Sequence, residues 1–132
     1  MYKYLLIVLF CFNFIQSSAP ALSNNVKVVI FVPLGYGDAI REAVGNAGAG
    51  SFDGYDFCSS SSQILGYWRP LEGSSPVVGE VGSLGSALEE KIDFVCPYEI
   101  LEKVIHAAQE VHPYEVMGFD VYPLIDFPMQ KR

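Results

Sequence analysis

Four consecutive residues, His112-Pro113-Tyr114-Glu115, hold the densest set of chemically capable side chains in this 132-residue chain. An imidazole and a carboxylate are both ordinary metal ligands, and Tyr114 adds a hydroxyl and a flat ring. A bound divalent ion wants roughly three or four donors, of which the local sequence supplies His112 and Glu115. Glu80, Asp120 or Cys58 would have to converge from elsewhere. The competing reading is structural. His112 would then close a helix end, where a positive imidazole is favourable, and Glu115 would bind a backbone or an arginine of a neighbouring subunit. Tyr114, Tyr122 and Trp68 form either an aromatic ligand wall or ordinary core and interface packing.

Other constellations that could do chemistry are weak. The glycines at 48, 50 and 54 come after a helical stretch and precede a strand, the reverse of the order a phosphate loop needs, and no Gly-Lys-Ser/Thr is present beyond them. Ser59–Ser62 lacks the Gly-x-Ser-x-Gly elbow of a serine hydrolase. His106 and His112 are the two histidines, and His106 falls off the apolar stripe of its helix, where solvent is expected. Arg69 has Glu72 within reach, or a subunit contact; an exposed pair contributes little. No catalytic set is assembled, so the chain is expected not to be an enzyme.

Composition narrows the partners. The formal charge is -7 and no Lys/Arg cluster interrupts it, so a phosphate backbone would be repelled and nucleic acid is excluded as a partner. Apolar residues make up 51%, enough to pack one core in a chain of single-domain length. The N-terminus is of another kind. Lys3 precedes the apolar run Leu5–Ile15, and small and polar residues succeed it over Gln16–Ser23. That order is a secretory signal peptide, with cleavage after Ala21 or Ser23. The run falls short of the roughly 20 residues of a spanning helix, although an uncleaved anchor is the alternative. The chain is therefore divided into a leader, 1–23, a domain, 24–125, and a tail, 126–132. A periplasmic or secreted location is expected, with no membrane partner once the leader is gone. Export would allow Cys58 and Cys96 to form a disulfide if their strands lie together; two buried thiols are the other outcome.

The elements that must position these residues are set by periodicity. Val26–Val32 is nearly unbroken β-branched and aromatic sequence, a central strand. Ile40, Ala43, Val44 and Ala47 recur at helical spacing behind Asp38, and Gly48 and Gly50 stop that helix. Tyr55–Ser60 and Ile64–Arg69 read as a paired second and third strand. Residues 70–85 are a long Gly/Pro/Ser connection, with a short strand possible at Val77–Val81. Leu88–Cys96 alternates, Leu88, Glu90, Ile92, Phe94 and Cys96 on one face, Glu89, Lys91 and Asp93 on a wet one. Pro97 suits the first position of a second helix with Leu101, Val104, Ile105 and Ala108 inward. Pro113 stops it, and Met117–Tyr122 alternates as a last strand. The order is α+β, a ferredoxin-like βαββαβ sandwich with an extra β-hairpin in the β2–β3 region.

Five stretches carry a family resemblance: EAVGNAGAG (42–50), GYDFCS (54–59), GYWRPLEGSSPVVGEVG (66–82), EEKIDFVCP (89–97) and HPYE (112–115). In this order and spacing they resemble the YqfO-like domain found inserted in the Ngg-interacting factor three family, from about Val26 to Leu124. The HPYE turn is similar to one in CutA. The resemblance implies a PII/CutA-like fold and a homo-oligomer, a trimer. It covers the inserted domain and not the flanking domains that hold the family's two-metal site, so it does not carry metal-dependent hydrolysis with it. The leader departs from a family that is mostly cytoplasmic.

The combined expectation is a non-enzymatic binding or assembly module. Its cleft would lie near His112, Tyr114, Glu115 and Glu80 and the 70–85 loop, and its ligand would be a small molecule or a divalent metal ion. Metal-dependent hydrolysis and a purely structural oligomer are the alternatives.

Overall fold

A computed structural model describes residues 19–127. The leader assignment falls mostly on residues outside that range, as does the end of the tail. No helix among the described residues is long and apolar enough to cross a membrane.

Strand β1 runs Leu22–Pro33, helix α1 Gly37–Asn46, strand β2 Ser60–Trp68 and strand β3 Gly85–Pro97. A 3₁₀ turn, Tyr98–Ile100, leads into helix α2, Leu101–Val111, and strand β4 is Gly118–Ile125. The four strands form one antiparallel sheet in the order β2-β3-β1-β4, the ferredoxin-like arrangement. β1 is central because its β-branched run fits a strand flanked on both sides. Val28 lies opposite Phe94 and Val121, and Ile30 opposite Ile92 and Phe119.

Alternation divides β1 between two faces. Val26, Val28, Ile30 and Val32 are buried beneath Ile40 and Val44 of α1 and Val104 and Ala108 of α2. Ile92, Phe94 and Cys96 extend the same layer on β3. Val29 points to the opposite face and is buried as well. That face therefore has an apolar centre without a helix over it.

Several details differ from the sequence reading. Tyr55–Ser59 is not a strand; it belongs to a loop fixed by bonds from Cys58 N–H to Gly50 O and from Gly50 N–H to Val95 O. Consequently β2 and β3 make one long hairpin and no additional hairpin is inserted, nor is Val77–Val81 a strand. The disulfide considered for Cys58 and Cys96 is not formed: both thiols are free, Cys96 buried in the core and Cys58 exposed on the loop. Pro97 ends β3 with an extended backbone rather than opening α2, and the 3₁₀ turn begins one residue later. Finally, β1 starts at Leu22, earlier than the sequence suggests, so cleavage after Ala21 would leave it whole and cleavage after Ser23 would remove its first two residues.

The helix face also carries one carboxylate. Glu90 reaches the start of α1, where Gly37 leaves room: a Cβ there would sit 1.9 Å from Glu90 Oε2. Arg41 bonds Glu90 and also Asp38, the latter at 2.6 Å. The guanidinium, with a smaller contribution from Ser61, holds the Glu90 carboxyl below the usual range, outweighing burial. On the other face Lys27, then Ser60, does the same for Asp93.

Groups whose folded pKa is depressed add stability above their unfolded pKa, about 4, and lose it as pH falls through the folded value. Glu90→Gln should therefore lower stability by about 1.5 kcal/mol at pH 7, with the difference from the native chain shrinking below about pH 4. Urea midpoints at several pH values measure this; a constant difference down to about pH 2.5 would refute the pairing. Gly50→Ala should cost more than the ~1–2 kcal/mol of a left-handed alanine. Gly50 has φ +72°, and its Cβ would meet the Cys58 carbonyl oxygen at 2.5 Å, a backbone atom with no freedom to swing aside. A thermal melt reads that loss.

Candidate functional cleft

The uncovered face of the sheet is roofed at one end by two segments, the 69–84 loop and the corner after α2. Between them lies a cleft of about 310 Å³. Phe31, Trp68, Pro70, Pro76, Val77, Val78 and Val116 make it mostly apolar, and Glu89, Tyr114, Arg69, Glu115 and Ser74 are its polar members.

Each roof segment is fastened by its own bonds. The Trp68 indole N–H donates to Val78 O at 3.1 Å, and Gly82 N–H to Pro70 O at 2.8 Å. Glu115 Oε2 accepts from Ser75 N–H at 2.8 Å, joining the two segments. Glu115 thus binds a backbone of its own chain rather than of a neighbour. Pro113 ends α2, and His112 stands at its C-terminus with an extended backbone. Its Nδ1 accepts from Tyr114 N–H at 3.1 Å, which leaves the proton on Nε2, and Nε2–H donates to Phe31 O at 2.8 Å. The imidazole is a strut between β1 and the corner.

The sequence-nominated residues therefore separate. Tyr114 and Glu115 line the cleft; His112 braces it from behind with both ring nitrogens committed; Glu80 does not line it. No group of three or more His, Cys, Asp and Glu that could hold a metal ion is found among the described residues. Of the aromatic wall, Trp68 and Tyr114 meet with centroids 6.0 Å apart, whereas Tyr122 is exposed further along the sheet. His106 is exposed and faces Glu110 at 3.7 Å, in line with its assignment to solvent.

The residue that sequence reasoning missed is Glu89. Alternation put it on a wet face, yet it is 7% exposed because the roof covers that end of β3. Gly66 of β2 makes the space: a Cβ there would lie 2.3 Å from Glu89 Oε2. A glycine in the middle of a strand is a signal of close approach that could have pointed to it. Tyr114 is the other unusual group. Its hydroxyl is buried and completes no well-formed hydrogen bond. Burial, then the charge and proximity of the Glu89 carboxylate, pushes its pKa up to about 12.

Comparison with known proteins agrees with this geometry. No family model matches the chain. The GTP cyclohydrolase 1 type 2 homolog of Bacillus subtilis is 39% identical over 114 residues, which is 86% of this chain and 31% of that protein. Its counterpart in Mycobacterium tuberculosis is 34% identical over 110 residues, 83% of this chain and 29% of that one. Among solved structures, a Bacillus cereus protein related to NIF3 superposes with a TM-score of 0.68 at 36% identity, over 81% of this chain and 27% of its own. The periplasmic divalent cation tolerance protein CutA of Archaeoglobus fulgidus superposes at 0.56 and 14% identity, over 82% and 86%, a likeness of fold alone. The chain spans about a third of the length of the curated relatives it matches. It belongs to the YqfO-like domains of the Ngg-interacting factor three family and has their PII/CutA-like fold.

Proposed function

We propose that the chain is a non-enzymatic module that binds a small molecule in the cleft beneath the 69–84 loop, as part of an exported homo-oligomer. One observation carries the reading: a mostly apolar chamber contains a largely buried glutamate, Glu89, and a buried hydroxyl with no well-formed hydrogen bond. Chambers of that composition, with a few convergent polar groups, are how small molecules are held and oriented. Burying such groups costs stability, and an apolar side chain would fill the gap more favourably. The cost is understandable if a ligand supplies the missing partners.

The chemistry of the donors favours an organic ligand over a metal ion. His112 has no lone pair left to offer, and Glu115 is engaged with Ser75. The name borne by the relatives refers to proteins about three times as long as the matched region, so a hydrolytic activity is not transferred to this part. No nucleophile paired with a base lines the cleft among the described residues.

Self-association is inferred from the β2–β3 hairpin. Leu65 and Leu88 lie opposite each other at 50% and 55% exposure, beside exposed Tyr67 on the edge strand. An uncovered apolar pair on an edge is a usual contact surface.

Light scattering of the purified chain should give about three protomers per particle, and Leu65→Asp should shift it toward monomer; a native monomer would remove the oligomer from the proposal. A fragment set screened by ligand-observed NMR should yield binders that vanish in Val78→Glu, which puts a charge into the apolar wall at an already exposed position. Binders unaffected by Val78→Glu would place the site elsewhere.

A further inference from the structure

We infer that the ligand carries a protonated amine, held by the Glu89 carboxylate in the cleft that Trp68 and Tyr114 line. The inference rests on the cleft being the binding site, and it names the chemical class of what enters.

Three neighbouring carboxylates make the contrast. Glu90 and Asp93 are partly buried, and each has a basic partner, Arg41 and Lys27. Glu89 is the most buried of the three, yet no basic side chain pairs with it among the described residues. A largely buried carboxylate without a counter-charge is costly, and an ammonium offers what is missing: opposite charge and N–H donors. Gly66 keeps this arrangement, since any side chain there would displace the carboxylate.

The surroundings discriminate in the same direction. Trp68 and Tyr114 line the same cleft as Glu89, their rings tilted at 55° with centroids 6.0 Å apart. Ring faces attract cations, and most strongly when water is excluded. The Tyr114 hydroxyl stays protonated across the physiological range, so it adds no second negative charge and can accept an N–H. At the mouth, Arg69 and Glu115 carry opposite charges, and Glu115 is tied to Ser75. An anionic ligand would meet Glu89 unscreened. A neutral one would leave the carboxylate without a counter-charge. The net charge of -7 draws cations toward the molecule as a whole. The apolar walls, Phe31, Val77, Val78 and Pro76, then suit an aromatic or branched aliphatic body on the amine.

The chain contains one tryptophan, Trp68, so its emission reports on this cleft and nothing else. The test titrates the full chain at about pH 7 with phenethylamine, with the near-isosteric neutral phenethyl alcohol, and with 3-phenylpropanoate. The amine should bind about tenfold or more tightly than the alcohol, and the carboxylate more weakly than either. In Glu89→Gln, which keeps the shape and removes the charge, the preference for the amine should fall below about twofold. Equal binding of amine and alcohol would overturn the ammonium assignment while leaving the cleft as a binding site. So would an undiminished preference in Glu89→Gln, or tightest binding of 3-phenylpropanoate through Arg69. Silence of Trp68 toward all three probes at about 10 mM, a concentration at which even a weak site fills appreciably, would count against the cleft as well. The amine-to-alcohol comparison needs no variant, so it stands even if Glu89→Gln folds poorly.

Discussion

The arrangement depends on one constraint: β1 is apolar on both of its faces, and two helices can cover only one. Val28, Ile30 and Val32 vanish under α1 and α2, while Val29 and Phe31 point the other way. Sheets of this kind normally leave that second face wet. Here the 69–84 loop and the corner after α2 fold back over one end of it. The hydrogen bond from His112 to Phe31 O fixes the corner to the central strand, and the bond from Ser75 to Glu115 fixes the loop to the corner. Both bonds are polar and specific, so the roof is located by geometry rather than by area of contact. A roof held at its edges can enclose space, which a close-packed core cannot.

Two adjacent glutamates show the consequence of that geometry. Strand alternation sends Glu89 and Glu90 to opposite faces. Glu90 enters the helix layer, and the fold answers it with Arg41, the start of α1 and a glycine that makes room. Glu89 enters the roofed face, where the fold also makes room with a glycine and supplies no counter-charge among the described residues. The first is a structural carboxylate whose burial is neutralised internally. The second is buried without such compensation. That contrast is why the ligand role proposed above is given to Glu89 with Tyr114, and not to His112, whose ring nitrogens are both engaged.

His112 marks the difference between a residue that looks chemical and one that acts mechanically. Its type and its place beside Glu115 suggest a ligand pair. The accepting bond at Nδ1 and the donating bond at Nε2 instead use its full neutral capacity. What it positions is Tyr114, whose ring and hydroxyl form one side of the cleft.

Much of the fold was legible in residue order. The unbroken run in β1, the stripe Ile40, Val44 and Ala47, and the stripe Val104 and Ala108 are local periodicities, and each became the face it suggested. Pro113 ended α2 because its ring forbids continuation. Tyr55–Cys58 alternates like a strand, yet became loop because Gly50 already occupies the backbone of Val95 at that edge. Cys58 and Cys96 stayed apart for the same reason. The neighbourhood of the 69–84 loop and the HPYE corner could be guessed from the family likeness, but the exposure of any one residue within it could not. By itself the sequence determined which residues face which side of each element, since that is dictated by bond geometry repeated about every two or 3.6 residues. Only the tertiary structure decided which side is dry. Glu89 is covered by a loop fastened through hydrogen bonds between residues as distant as Ser75 and Glu115, and no periodicity of β3 records where that loop will land.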